Sequence, residues 1–185
     1  NGRSFNRIIG TGLAESKGLR HGYIINGHDV RTSIETAVGL AEKASGVRIK
    51  KAFVAVGGIG LSGLTASAST IISRADLQIT DLDIEKLSQI TEESLPVSVT
   101  QNNRILHSIP MSYKIDGKIV LAKSPLDMKG QRLEVKTLFV TCLEPHLNDL
   151  LEAVDEAGIV VIDCLASPIA ASFVTLSRTQ KMAGA

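Results

Sequence analysis

Residues 51–73, KAFVAVGGIGLSGLTASASTIIS, decide how this chain is built. Lys51–Val56 is a short apolar run of strand-forming residues closed by Gly57-Gly58, and it predicts a strand. Upstream, Val30, Ile34, Ala37, Val38 and Ala41 recur at helical spacing, while Glu35, Glu42 and Lys43 lie off that face. Asp29 falls in the first turn of this helix, where its charge complements the dipole, and Gly46 is a natural stop. Further back, Asn6–Gly12 predicts a strand and a turn, and Gly18–Ile25 a loop leading into a short strand. Strand, helix, strand is an α/β opening. After Gly60 the character changes. Ser62–Ser73 is small and β-branched and predicts one long strand, of a kind suited to a sheet edge.

Downstream, Thr80-x-x-Asp83 has the form of a capping box, with Asp in place of the longer Glu. Ile84, Leu87 and Ile90 give the helix behind it an apolar face. Arg104–Ile109 predicts a strand stopped by Pro110. Ser112–Ile115 extends to Asp116-Gly117, a strong hairpin signal, and Ile119–Ala122 returns. Ser124–Gly130 is a loop, and Leu133–Thr141 alternates as a long strand. The α/β character then resumes. Pro145 suits a first helical turn, Leu147, Leu150, Leu151 and Val154 share a face, and Gly158 ends the helix. Ile159–Leu165 is nearly all apolar, as in a buried parallel strand. Pro168 opens a last helix through Ala171 and Val174, and Lys181–Ala185 reads as a frayed tail. The pattern is βαβ, an inserted β-rich unit, then αβα: an α/β lobe carrying an α+β insertion.

Composition narrows the function. In 185 residues there are 20 Lys and Arg against 19 Asp and Glu, with no basic run, so a dedicated nucleic-acid binder is disfavoured. With no Trp and 3% aromatics, the core must come from Ile, Leu, Val and Ala. No apolar stretch has the length of a bilayer span. Asn1-Gly2-Arg3-Ser4 carries neither a signal-peptide pattern nor a starting Met, and the expectation is a piece of a longer, cytoplasmic protein. Cys142 and Cys164 sit in apolar runs and read as buried thiols. His21, His28, His107 and His146 have no second ligand at metal spacing. Gly57-Gly58-Ile59-Gly60 follows a strand but lacks the Gly-Lys-Ser/Thr of a phosphate loop, and a hinge between subdomains is the better reading. Asp163-Cys164 lacks a base and reads as a capping carboxylate beside a thiol, and Glu92-Glu93 as a solvated helix end. No catalytic, cofactor or metal set assembles.

Several blocks, in order, resemble the bacterial cell-division FtsA family. Lys17–Gly22 followed by Ile25-Asn26 is similar to the family's entry to its first helix, and Ala44–Val54 to the helix-to-strand block behind it. Ile79-Thr80-x-x-Asp83-Ile84 resembles the helix of the family's inserted subdomain. The most specific run is Arg104–Pro110 (RILHSIP), Tyr113, Asp116-Gly117, then Pro125-Leu126-Asp127-Met128, Gly130 and Arg132–Val135. Glu152-Ala153-Val154, Ala157-Gly158 and Leu165-Ala166-Ser167 continue it, so the likeness runs from about residue 8 to 182. Gly57-Gly58 stands where the family often has Ser-Gly, and Asp127 where it often has Gly.

The resemblance implies a partial actin-like, ribonuclease-H-like lobe (subdomain 1A, residues 1–58 and 142–185). An inserted strand-helix-strand-strand subdomain of SHS2 type (subdomain 1C, residues 59–141) would interrupt it. It implies a scaffold that tethers FtsZ filaments to the inner face of the cell membrane at the division site. That scaffold associates with itself in filaments and recruits a late FtsN-like protein through subdomain 1C. The full-length family binds ATP and Mg through two phosphate loops, expected before Asn1 and after Ala185, so no cofactor is expected in this chain. FtsZ would be met through a further lobe. Within 59–141, Arg104 is the leading partner-binding residue, placed at the start of a strand after the polar stretch Thr100-Gln101-Asn102-Asn103. Asn102 and Asn103 join it as candidates. A PilM-like protein of pilus assembly is the alternative, and a self-contained enzyme a more distant one.

Overall fold

The computed structural model describes residues 7–183. Expectations that touch residues 1–6 or 184–185, including the start of the Asn6–Gly12 strand and the end of the tail, lie outside them. Residues 7–17 form no strand. They run instead along helix α1 (Gly27–Ser45), close enough that a Cβ on Gly12 would collide with the Ala37 carbonyl oxygen and one on Gly10 would lie 2.7 Å from the Ser45 nitrogen. Glycine is what permits that approach. Before α1, β1 (Leu19–Arg20) and β2 (Tyr23–Ile24) pair antiparallel, where a single short strand was expected. Asn26 caps α1, its side chain accepting from the Asp29 N–H, and Gly46 ends it at φ 71°.

Strand β3 (Lys51–Val56) follows, then β4 (Leu61–Ile71), α2 (Asp81–Glu93) and the single turn α3 (Val97–Thr100). Next come β5 (Asn103–Ile115), β6 (Lys118–Ile119) and β7 (Arg132–Leu143). The chain closes with α4 (Glu144–Glu156), β8 (Val160–Ala166), α5 (Ser167–Thr175) and α6 (Arg178–Ala183). Helix α6 occupies part of the stretch expected to fray. The chain divides into two compact units, residues 7–60 with 144–183, and residues 61–143.

In the first unit β3 and β8 pair in parallel, and α4 and α5 pack on β8. The run Ile159–Leu165 was expected to be buried on both faces. Instead Val160 and Ile162 are each 53% exposed and Phe53 on β3 is 62% exposed. Among the described residues this sheet has only two strands, so its helices cover only part of the apolar surface. Val56, Leu147, Ala153, Ile159 and Ala166 are buried.

In the second unit the strands lie in the order β4-β7-β5-β6. Central β7 buries Leu133, Val135, Thr137, Phe139 and Thr141 in strict alternation. Helix α2 packs on β4 and β7, and Ile72, Ile79, Leu87, Tyr113, Leu133 and Val135 form the core. Each fully buried Leu or Ile here contributes about 1.5–3 kcal/mol. Pro110 does not stop β5, contrary to expectation. The strand bends through two register irregularities, between Ile105 and His107 and between Pro110 and Ser112. Because β6 covers only Lys114 and Ile115, Pro110 sits where, among the described residues, one side of β5 has no ladder to complete. Asp116 (φ 49°) and Gly117 (φ 78°) make the predicted hairpin turn.

Candidate partner-binding surface

The stretch from α2 to β5 is shaped by local chain termini. Helix α2 ends at Ser94, whose N–H donates to the Ile90 carbonyl at 3.1 Å. Pro96 then opens α3, and the Gln101 N–H closes it on the Val97 carbonyl at 2.8 Å. Asn102 takes the left-handed conformation (φ 59°) that Asn tolerates better than most residues. That turn launches β5, where Asn103 lies opposite Leu143 and Arg104 opposite Cys142 on β7. The Asn103 amide donates to the Gln101 carbonyl at 3.2 Å, which pins the turn.

These elements surround an open groove lined by Glu92, Glu93, Val97, Thr100, Asn103 and Arg104, among others. Two of the three residues singled out in the sequence, Asn103 and Arg104, line it. Asn102 does not line it and serves the turn. Arg104 is exposed and its guanidinium has no hydrogen bond or ion pair among the described residues. Its five donors therefore face solvent. Glu92 and Glu93 were read as a solvated helix end. They are exposed, and they also line the same groove. The last turn of α2 has no basic residue to offset them at the negative end of the helix dipole. The groove thus presents one cation against two acids, with Val97, 74% exposed, as an apolar rim. It can grip an extended peptide that carries charges of both signs.

The other candidates take structural places. Gly57–Gly60 is tied to the β1–β2 hairpin: Ile59 N–H donates to the His21 carbonyl at 3.3 Å, and a Cβ on Gly58 would meet Gly22 Cα at 2.9 Å. Asp163 accepts the N–H of its neighbour Cys164 at 2.7 Å. Neither cysteine is in a disulfide, and Cys142 is buried while Cys164 is half-buried. Sequence reading gave His146 no special place. It is 2% exposed, its ring lies 4.7 Å from that of Tyr23, and neither ring nitrogen has a partner among the described residues. No described helix is long and apolar enough to cross a membrane.

A family model, the SHS2 domain inserted in FtsA, matches residues 60–141, which carry β4, α2, β5, β6 and most of β7. Over 177 residues, 96% of this chain, the sequence is 31% identical to the cell division protein FtsA of Bacillus subtilis (strain 168). The chain carries an SHS2 domain of the FtsA type and is similar to FtsA proteins along 96% of its length. Over the same share of the chain it is 29% identical to FtsA of Borreliella burgdorferi and 28% identical to FtsA of Pseudomonas aeruginosa. These alignments cover 39%, 42% and 41% of the three FtsA proteins in turn, so the chain spans about two fifths of its curated relatives. A solved structure of a PilM-PilN type IV pilus biogenesis complex superposes with a TM-score of 0.54 at 13% identity, over 86% of this chain and 40% of that one. At that identity the likeness is one of fold, an actin-like lobe carrying an SHS2 insertion, and it does not set the FtsA assignment aside.

Proposed function

We propose that the chain is the recruiting part of an FtsA-type cell-division scaffold, and that its SHS2 unit receives a late, FtsN-like division protein in the groove at Asn103 and Arg104. The observation that carries this reading is the exposed, unpaired Arg104 inside the unit that matches the FtsA insertion. A groove walled by an arginine and two glutamates suits recruitment of a peptide. It offers no nucleophile, base and oxyanion donors in reach of one another, so the chain is read as a scaffold and not as an enzyme. In the whole protein, FtsZ would be engaged through a further lobe, ATP and Mg would bind between lobes, and the molecule would act at the inner face of the membrane. Self-association into filaments belongs to the same proposal.

The test is a titration of the chain with two labelled peptides, the cytoplasmic segment of an FtsN-like protein and the corresponding segment of a pilus inner-membrane protein of PilN type. Saturable binding of the first and not the second supports the division scaffold. The reverse preference assigns the chain to the pilus-type reading.

A further inference from the structure

The sheet of residues 61–143 ends differently at its two edges. On one side, Pro110, two breaks of register in β5 and a two-residue β6 leave little for another strand to pair with. These are the devices by which edges are usually blunted. On the other side β4 pairs with β7 from Leu61 to Ile71 without a break. It has 11 residues, none of them charged and none proline. Among the described residues, its backbone makes no hydrogen bond beyond those to β7. One whole edge of the ladder is open.

The sheet face turned away from α2 adds a charge preference. There Arg132, Glu134 and Lys136 of β7 stand opposite Ile71, Ser69 and Ser67 of β4, and Lys114 of β5 stands opposite Glu134. Three cations thus share the face with one acid, and Arg132 already engages that acid through Nε at 3.1 Å. The serines on β4 are short enough to be reached across. Arg132 Nη2 donates to the Ser69 hydroxyl at 3.1 Å. A strand added beyond β4 would lie two strand spacings, about 10 Å, from β7. A lysine and a carboxylate side chain together span that distance over Ser67.

We propose that β4 is a docking edge for an extended, acidic segment of a partner protein, which joins the sheet as a fifth strand and sets its outer-face carboxylates against Lys136 and Arg132. Main-chain bonds to β4 give the affinity and the two cations choose the partner. A second copy of this chain fits less well, because its own β4 brings no carboxylate to meet them.

The test uses the whole 185-residue chain with two labelled peptides, one alternating valine and glutamate and one alternating valine and lysine, and reads amide hydrogen exchange over residues 61–71. The glutamate peptide is expected to bind at least about tenfold more tightly than the lysine peptide and to slow exchange in β4. Lys136→Glu is expected to reverse the preference and leave the thermal midpoint unchanged. Binding of neither peptide, equal binding of both, or binding without slowed exchange in β4 overturns the proposal. So does slowed exchange brought on by protein concentration alone, which would assign the edge to a second copy.

Discussion

One carboxylate oxygen of Asp83 closes the start of α2 on Thr80 twice, accepting the Thr80 backbone N–H at 2.9 Å and the Thr80 hydroxyl at 2.7 Å. The hydroxyl first, and the N–H after it, hold the Asp83 carboxyl below the usual carboxylate range. Asp83→Ala removes both bonds and is expected to cost about 1 kcal/mol, read as a lower denaturant midpoint at neutral pH. A carboxyl whose folded pKa is depressed stabilises the fold fully above its unfolded value of about 4, and that contribution is lost as pH falls through the lower folded value. The gap between wild type and variant is therefore expected to close at the acid end. A gap of constant size across the titration contradicts this account.

His146 tests a different kind of contact. Its imidazole is buried against Tyr23 with both nitrogens unpartnered. Replacing it with phenylalanine, a somewhat larger ring with no polar atoms, removes a desolvation penalty. His146→Phe is expected to leave stability unchanged or raise it by up to about 1 kcal/mol. In contrast, a Cβ on Gly60 would lie 2.8 Å from His146 Cδ2, and Gly60→Ala is expected to destabilise by about 1–3 kcal/mol. Thermal midpoints of the two variants check this, and a marked loss in His146→Phe would mean that the nitrogens have a role.

The elements legible in the sequence were those with a strong local signal. Helix α1 was marked by its apolar stripe and Gly46, β3 by the run before Gly57-Gly58, and the hairpin by Asp116-Gly117. The misreadings share a cause, which is tertiary context. Pro110 looks like a strand terminator until β5 is seen to have one open side at that point. The apolar run in β8 looks buried until the two-strand sheet is seen. Residues 7–12 look like a strand, yet Gly10 and Gly12 were there to fit against α1. In the candidate groove, Arg104 and Asn103 were singled out because a polar loop precedes a strand. Glu92 and Glu93 belong to the same groove through a fold that brings the end of α2 to the start of β5, and no spacing in the chain encodes that.

The Gly57–Gly60 segment makes a prediction about nucleotide. Its backbone is engaged with the His21 carbonyl and packed on Gly22, and a Cβ on Gly57 would lie 2.6 Å from the Ser167 hydroxyl. Phosphate loops instead turn a row of free N–H groups toward the anion. Calorimetric titration of this chain with Mg-ATP is expected to give no saturable heat. Micromolar affinity would contradict both the reading of this loop and the view that nucleotide is held elsewhere in the whole protein.

Arg104 in the groove of the SHS2 unit is the residue on which partner binding is proposed to depend, and Arg104→Glu tests that most directly. The side chain is exposed and unpaired, so the substitution is expected to leave the thermal midpoint nearly intact. It reverses the charge facing a bound peptide and turns the groove wholly acidic beside Glu92 and Glu93. Measured by fluorescence polarisation, the affinity of the chain for the cytoplasmic peptide of an FtsN-like protein is expected to change by about tenfold or more, equivalent to about 1.4 kcal/mol, in the direction of weaker binding. Unchanged affinity in a folded Arg104→Glu variant would contradict the claim that this groove is where the partner is held.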